Sequence, residues 1–233
     1  MQILMHYNPH LQHQIDHANA FRDCGFDVTP DPYKPADVHV VSGPWFALRY
    51  WREHKHVLVL DRSWWGDPGS VSLGWLNVDG TRRFARGDAP RFKPEMLPWK
   101  THRREDSCLI LCDYGQDVSE IEYYAKKRFT TVRKRLHPAD NDDRHVIRLE
   151  ADLMLSDCAI GTSGTSLFDA IALGVPSICL DPKNEVAPVC ANSVDDDLYR
   201  SSRDCWLHDM SYKVFTLKEI HDGTAWNLLK DIQ

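Results

Sequence analysis

At 233 residues, with 42% hydrophobic and 27% charged residues, the chain has the make-up of a folded globular protein, which excludes global disorder. No apolar run approaches the ~20 residues needed to cross a bilayer. The opening MQILMHYNPH also lacks the basic start and apolar length of a secretory signal, so a soluble cytoplasmic protein with no membrane partner is expected.

Ile3–His6 reads as a short strand. Residues 9–24 read as a helix, with Leu11, Ile15, Ala18 and Phe21 at helical spacing and Gly25 stopping it. Strands are expected at 26–29 and 38–41, a helix at 44–54, and a strand buried on both faces at 56–61, HVLVLD. Residues 62–104 break this rhythm with the turn-rich RSWWGDPGS, the strand VSLGWL and a stretch rich in Pro, Arg and Gly, and an interdomain linker is expected near residue 100. The alternation then restarts, with strands at 108–113, 130–138, 158–161 and 175–181, and helices at 118–129, 150–156 and 165–173. The tail is helical, interrupted near Gly223. Strands alternating with helices of this length point to βαβ units, an α/β fold and a parallel sheet.

The seven cysteines lie mostly inside apolar runs, and Cys108 and Cys112 in CLILC have no matching pair, so reduced buried thiols are expected rather than zinc ligands. No metal site is expected: His6, His10, His13 and His17 span a strand, Pro9 and a helix, and the acidic runs 140–143 and 195–197 read as solvated loops. The absence of G-x-x-x-x-G-K-[ST] disfavours a P-loop kinase.

The most informative segment is 157–181, DCAIGTSGTSLFDAIALGVPSICLD. A buried strand ends at Gly161, the turn Thr162-Ser163-Gly164-Thr165-Ser166 follows, and a helix begins there. Unpaired N–H groups and hydroxyls at such a turn suit an anion, and Asp169 is placed to accept from ribose hydroxyls. The same spacing also suits an ordinary capped helix between two strands. Upstream, Arg133 and Arg135 share one face of a strand at period two, and His137-Pro138 ends it.

The run GTSGTSLFDAIALGVPSI with the preceding RLHP resembles the C-terminal half of GT-B-type glycosyltransferases, nearest the branch of capsule-polysaccharide and CDP-glycerol-type transferases. The matching residues are His137, Pro138, the turn 162–166, Asp169 where that branch usually has Glu, Ala170, Gly174 and Pro176. The likeness covers about residues 108–181, and the tail is similar to bacteriophage-encoded sugar transferases. The resemblance implies an α/β, GT-B-like fold of two Rossmann-like domains with a cleft between them: an acceptor-side domain over 1–100 and a nucleotide-sugar-binding domain over 101–233. It also implies that His137, helped by Arg133 or Arg135, contacts the diphosphate of a UDP-type sugar, a donor substrate used without an essential cofactor or metal.

For the acceptor side, Asp61 ends a buried strand, where open α/β sheets place ligands, and Asp67 follows in a loop behind Trp64 and Trp65. Either aspartate is a candidate base for the acceptor hydroxyl. A turn cap and an ion pair with Arg62 explain the same residues equally well. Residues 81–104 hold eight basic residues against two acidic ones, and 126–135 hold six with none, within a net charge of −6. That asymmetry suits either a polyanionic partner or solvated basic faces. With the phage-like tail it points to double-stranded DNA carrying a hydroxymethylated pyrimidine as acceptor. A surface glycan or lipid-linked sugar is the alternative, and a non-catalytic nucleotide-sugar-binding module is a further one.

Overall fold

Short apolar runs broken by Gly, Pro and Asp alternate with amphipathic stretches, and strands and helices form accordingly. The computed structural model describes residues 2–31, 33–43, 56–63, 69–92, 95–101, 106–138, 140, 147–162, 165–198, 200 and 202–232. The first elements are β1 (Ile3–His6), α1 (Gln12–Asp23), β2 (Asp27–Thr29), β3 (Val38–Ser42), β4 (Val57–Arg62), β5 (Val71–Leu76) and β6 (Arg82–Arg83). Next come β7 (Ser107–Leu111), α2 (Ser119–Arg128), β8 (Thr131–Arg135), α3 (Leu149–Met154), β9 (Cys158–Gly161), α4 (Ser166–Ala172) and β10 (Ser177–Cys179). The tail holds α5 (Asp204–Ser211), β11 (Val214–Phe215), α6 (Leu217–His221) and α7 (Thr224–Leu229). The helix expected over 44–54 lies outside the described residues.

The protein is mixed α/β, and the chain divides into two units, Met1–Lys93 with Leu207–Gln233, and Pro94–Trp206. In the first, the sheet order is β11-β5-β4-β3-β1-β2, with β6 on β5. β1 to β4 are mutually parallel, as expected. β5 instead runs antiparallel to β4, because 63–70 is shorter than the dozen or so residues that a parallel return requires. Val57, Leu58, Val59 and Leu60 are each no more than 1% exposed, so β4 is buried on both faces.

Residues 207–233, expected with the second half, join this first unit. β11 pairs with β5, Trp75 Nε1 donates to the Leu229 carbonyl at 2.8 Å, and Phe215, Ile220, Ala225 and Leu229 bury among Met5, Phe21 and Leu73. Burying that apolar set is the reason for the return. Arg91 locks it: its Nη1 donates to the carbonyls of Ser211 (2.9 Å) and Val214 (3.0 Å), it pairs with Glu219, and its guanidinium stacks over the Phe215 ring. Glu219 also closes a capping box with Thr216 at the start of α6.

The second unit is a parallel sheet of order β10-β9-β7-β8. Cys108, Ile110, Phe129, Cys158, Ile160 and Ile178 form its core. The stretch expected as a linker near residue 100 is bonded into this unit. Leu97 N donates to Ala172 O (2.8 Å), Lys100 N to Gly174 O (2.7 Å), and Lys100 Nζ to the carbonyls of Leu153, Met154 and Ser156 that end α3. Gly174 has φ +71°, and a Cβ there would lie 2.0 Å from the Pro98 carbonyl oxygen, so the sequence needs glycine. None of the seven cysteines forms a disulfide, and burial pushes Cys108 up to about 12 and Cys179 up to about 11. No described helix is long and apolar enough to cross a membrane.

Candidate functional site

In the second unit the chain leaves β7 toward β8 on one side of the sheet, then crosses to β9 and β10 on the other. β7 and β9 are therefore neighbours whose onward connections diverge, the switch point at which open parallel sheets leave a crevice beyond their carboxyl ends. Asp113 follows β7 at that edge and Thr162 follows β9. The two side chains meet: Thr162 Oγ1 donates to Asp113 Oδ2 at 2.5 Å. Gln116 closes a ring, its Nε2 donating to Thr162 Oγ1 at 3.2 Å while its Oε1 accepts from Asp113 N at 3.0 Å. The Thr162 carbonyl in turn accepts from Asn184 Nδ2 at 3.1 Å.

His137, expected at a diphosphate, is exposed just past β8, with the Tyr114 ring edge-on at 5.7 Å. Asp140 Oδ2 accepts from Gly115 N at 2.7 Å, which joins the loop after β7 to the loop after β8. The structure thus brings Thr162 and His137 to one sheet edge, together with Asp113, Tyr114 and Gln116. Thr165 and Ser166 open α4 and Asp169 lies in its first turn. Ser163 and Gly164 lie outside the described residues.

Arg133 and Arg135 share a face, as period two requires, and both guanidinium groups meet Asp152. Arg133 pairs with Asp152 and also donates to Ser156 Oγ at 2.7 Å. Arg135 donates to Asp152 Oδ2 and to the Ile147 carbonyl, both at 3.0 Å. The Asp152 side chain is only 13% exposed, so the pair clamps α3 to the edge strand β8.

Asp61 occupies the carboxyl end of β4, half-buried, directly opposite Ser72 on β5. Asp67, Trp64 and Trp65 lie outside the described residues. Two buried imidazoles stand on the same parallel strands: His6 Nε2 and His39 Nδ1 are 2.7 Å apart with stacked rings. His17 on α1 is also buried; its Nε2 meets the Gly69 carbonyl at 3.3 Å, and burial holds its pKa below the ordinary 6.5. Among the described residues no group of three or more His, Cys, Asp or Glu side chains is placed to hold a metal ion.

The basic segments are largely engaged. Lys126 and Lys134 both pair with Glu122, Arg128 donates to the Val194 and Asp196 carbonyls, and Lys127 lies over the Tyr123 ring. Arg82 stacks on Phe84 and Arg91 is held by the tail, whereas Arg83 and Arg86 are exposed. Arg103 and Arg104 lie outside the described residues.

Asp113 and Gln116 were not singled out by sequence. The signal was present, since Asp113 ends CLILCD as Asp61 ends HVLVLD. Gln116 carries no such mark, because its role depends on a turn that folds it back onto Asp113.

No protein-family model matches the chain, and no curated protein matches it. Among solved structures it is similar to KpsC, a beta Kdo 2,4 transferase from Thermosulfurimonas dismutans, at a TM-score of 0.55 and 14% identity, over 91% of this chain and 90% of that one. This is a likeness of fold, and it spans both units. The glycosyltransferase SnogD from Streptomyces nogalater aligns at a TM-score of 0.28 and 12% identity over 98% of each chain, too low to bear on the fold.

Proposed function

We propose that the protein is a glycosyltransferase of GT-B type, in which the second unit binds a nucleotide-sugar donor of the UDP class and the first unit binds the acceptor. The observation that carries this is the carboxyl edge of the second sheet, where Thr162 and His137 follow β9 and β8, the parallel strands on either side of β7, in a chain folded like a sugar transferase. In the reaction the acceptor hydroxyl oxygen attacks the anomeric carbon. Its proton passes to a carboxylate, Asp61 or Asp67, and the bond from the anomeric carbon to the diphosphate oxygen breaks. His137, with the hydroxyls of Ser163, Thr165 and Ser166, offsets charge on the departing diphosphate. Asp169 is the proposed ribose contact in the first turn of α4.

Two acceptor classes fit this chemistry: hydroxymethylated pyrimidine in DNA, and a surface glycan or lipid-linked sugar. Engagement of the basic side chains on Glu122, Asp152 and backbone carbonyls favours the glycan. The test is calorimetry with uridine, cytidine, guanosine and adenosine diphosphates, followed by their sugars. One nucleotide should bind, and His137→Ala and Ser166→Ala should each weaken it by roughly 10- to 100-fold. Unchanged affinity in both folded variants refutes the diphosphate site, and binding without turnover on any acceptor favours a non-catalytic module.

A further inference from the structure

One face of the first sheet changes character at the carboxyl end of β4. Leu58 and Leu60 on β4, with Val71, Leu73 and Trp75 on β5, lie in the core that holds Met5 and Phe21. Strand alternation therefore turns Val57, Val59 and Asp61 on β4, and Ser72, Gly74 and Leu76 on β5, to the opposite face. Val57, Val59 and Leu76 pack there with Val41. A Cβ on Gly74 would lie 2.7 Å from Phe84 Cε1, so the Phe84 ring covers the next position. Beyond it both strands turn polar. Asp61 stands opposite Ser72, and Ser63 N donates to the Ser70 carbonyl at 3.3 Å, which continues the pairing.

Ser72 is 0% and Ser70 8% exposed, and among the described residues neither hydroxyl has a hydrogen-bond partner. Asp61 and Ser63 across the pair are half-buried, so the polar row lies where the sheet edge meets solvent. A buried hydroxyl that bonds nothing has lost its water without compensation, and the fold gains no hydrogen bond from either serine. Valine at both positions would suit the strand better. Two such hydroxyls two residues apart, at the carboxyl end of a parallel strand, point to a ligand that supplies the missing partners.

Building on the sugar-transfer reading above, we propose that Ser70 and Ser72 form an acceptor subsite and that the acceptor is a glycan. A hydroxyl both donates and accepts, as does serine, so a ring hydroxyl satisfies these side chains whichever way their protons turn. A sugar ring carries a second hydroxyl next to the first. One is held by Ser70 and Ser72 while its neighbour is glycosylated, and the serines thereby fix which hydroxyl reacts.

Two measurements on the whole chain test this. The first needs no ligand. Because the Ser72 hydroxyl bonds nothing within the fold, Ser72→Ala should leave the urea midpoint unchanged or raise it; a lowered midpoint assigns the hydroxyl to the fold and overturns the subsite. The second follows transfer from the sugars of the four ribonucleoside diphosphates to a panel of methyl glycosides and to hydroxymethylcytosine DNA. For the glycoside that is turned over, Ser72→Ala and the double variant Ser70→Ala, Ser72→Ala should raise acceptor KM roughly tenfold or more, with nucleotide affinity by calorimetry unchanged. One monodeoxy form of that glycoside should show the same loss with the unchanged protein and no further loss with the double variant. Equal acceptor KM in variants and unchanged protein overturns the subsite. Transfer to the DNA alone overturns it and leaves the sugar-transfer reading standing, whereas transfer to neither acceptor class removes both.

Discussion

Asp152 meets two arginines of β8, and its removal separates structural from binding roles. Its Oδ1 and Oδ2 meet Arg133 and Arg135, its carbonyl accepts from Arg133 at 3.0 Å, and its side chain is 13% exposed. Asp152→Ala deletes two charge-assisted contacts, each about 1.5–3 kcal/mol, and leaves two like charges side by side on β8. Breaking a buried pair from one end costs about 3–5 kcal/mol. Arg133, at 33% exposure, regains water in the variant while Arg135, at 13%, does not, which places the expected loss near the lower end, about 3 kcal/mol. Urea unfolding followed by circular dichroism measures it, with an unchanged slope required for the comparison. Glu122→Ala serves as the control: its partners Lys126 and Lys134 are 60% and 43% exposed, and the loss there is much smaller. A loss below about 1 kcal/mol for Asp152→Ala, or a weakened nucleotide affinity in the folded variant, refutes the structural assignment of Arg133 and Arg135.

Exchanging the true base, Asp61 or Asp67, for Asn should reduce turnover at least ~10²-fold with donor affinity unchanged; if neither exchange reduces it, the proton acceptor lies elsewhere. His17 is held neutral by burial, with its pKa below 6.5, so the unfolded chain binds the additional proton and stability falls as pH drops from about 6.5 toward the depressed value. His17→Gln should flatten that decline in urea midpoints taken between pH 7.5 and 5, and an identical decline in the variant counts against it. A glycan acceptor leaves affinity nearly independent of salt, whereas DNA contributes a slope of about −0.9 in log K per neutralised phosphate. A gel shift with hydroxymethylpyrimidine DNA that is present at low salt and lost steeply as salt rises would favour DNA over the glycan.

The local pattern was enough to place most elements. HVLVLD has too many consecutive apolar residues for any but a strand covered on both faces, and Gly25 and Gly223 stop helices because their positive φ suits glycine. The strand-end positions of Asp61, Thr162 and His137 followed from the same alternation. Partnership was not legible. Arg133 and Arg135 share a face by period two, but periodicity does not state what that face meets, and a carboxylate on α3 was waiting there. The basic character of 126–135 was likewise a count of charges, while Glu122 and two backbone carbonyls decide how much of it reaches solvent. The tail's apolar residues announced a buried face without naming the sheet that buries it, since chain order carries no information about which core has room. Strand order is the same kind of fact. The sequence determined that β7 and β9 exist and are followed by Asp113 and Thr162; only the tertiary pairing set them side by side, because hydrogen bonds between parallel strands join residues about fifty positions apart.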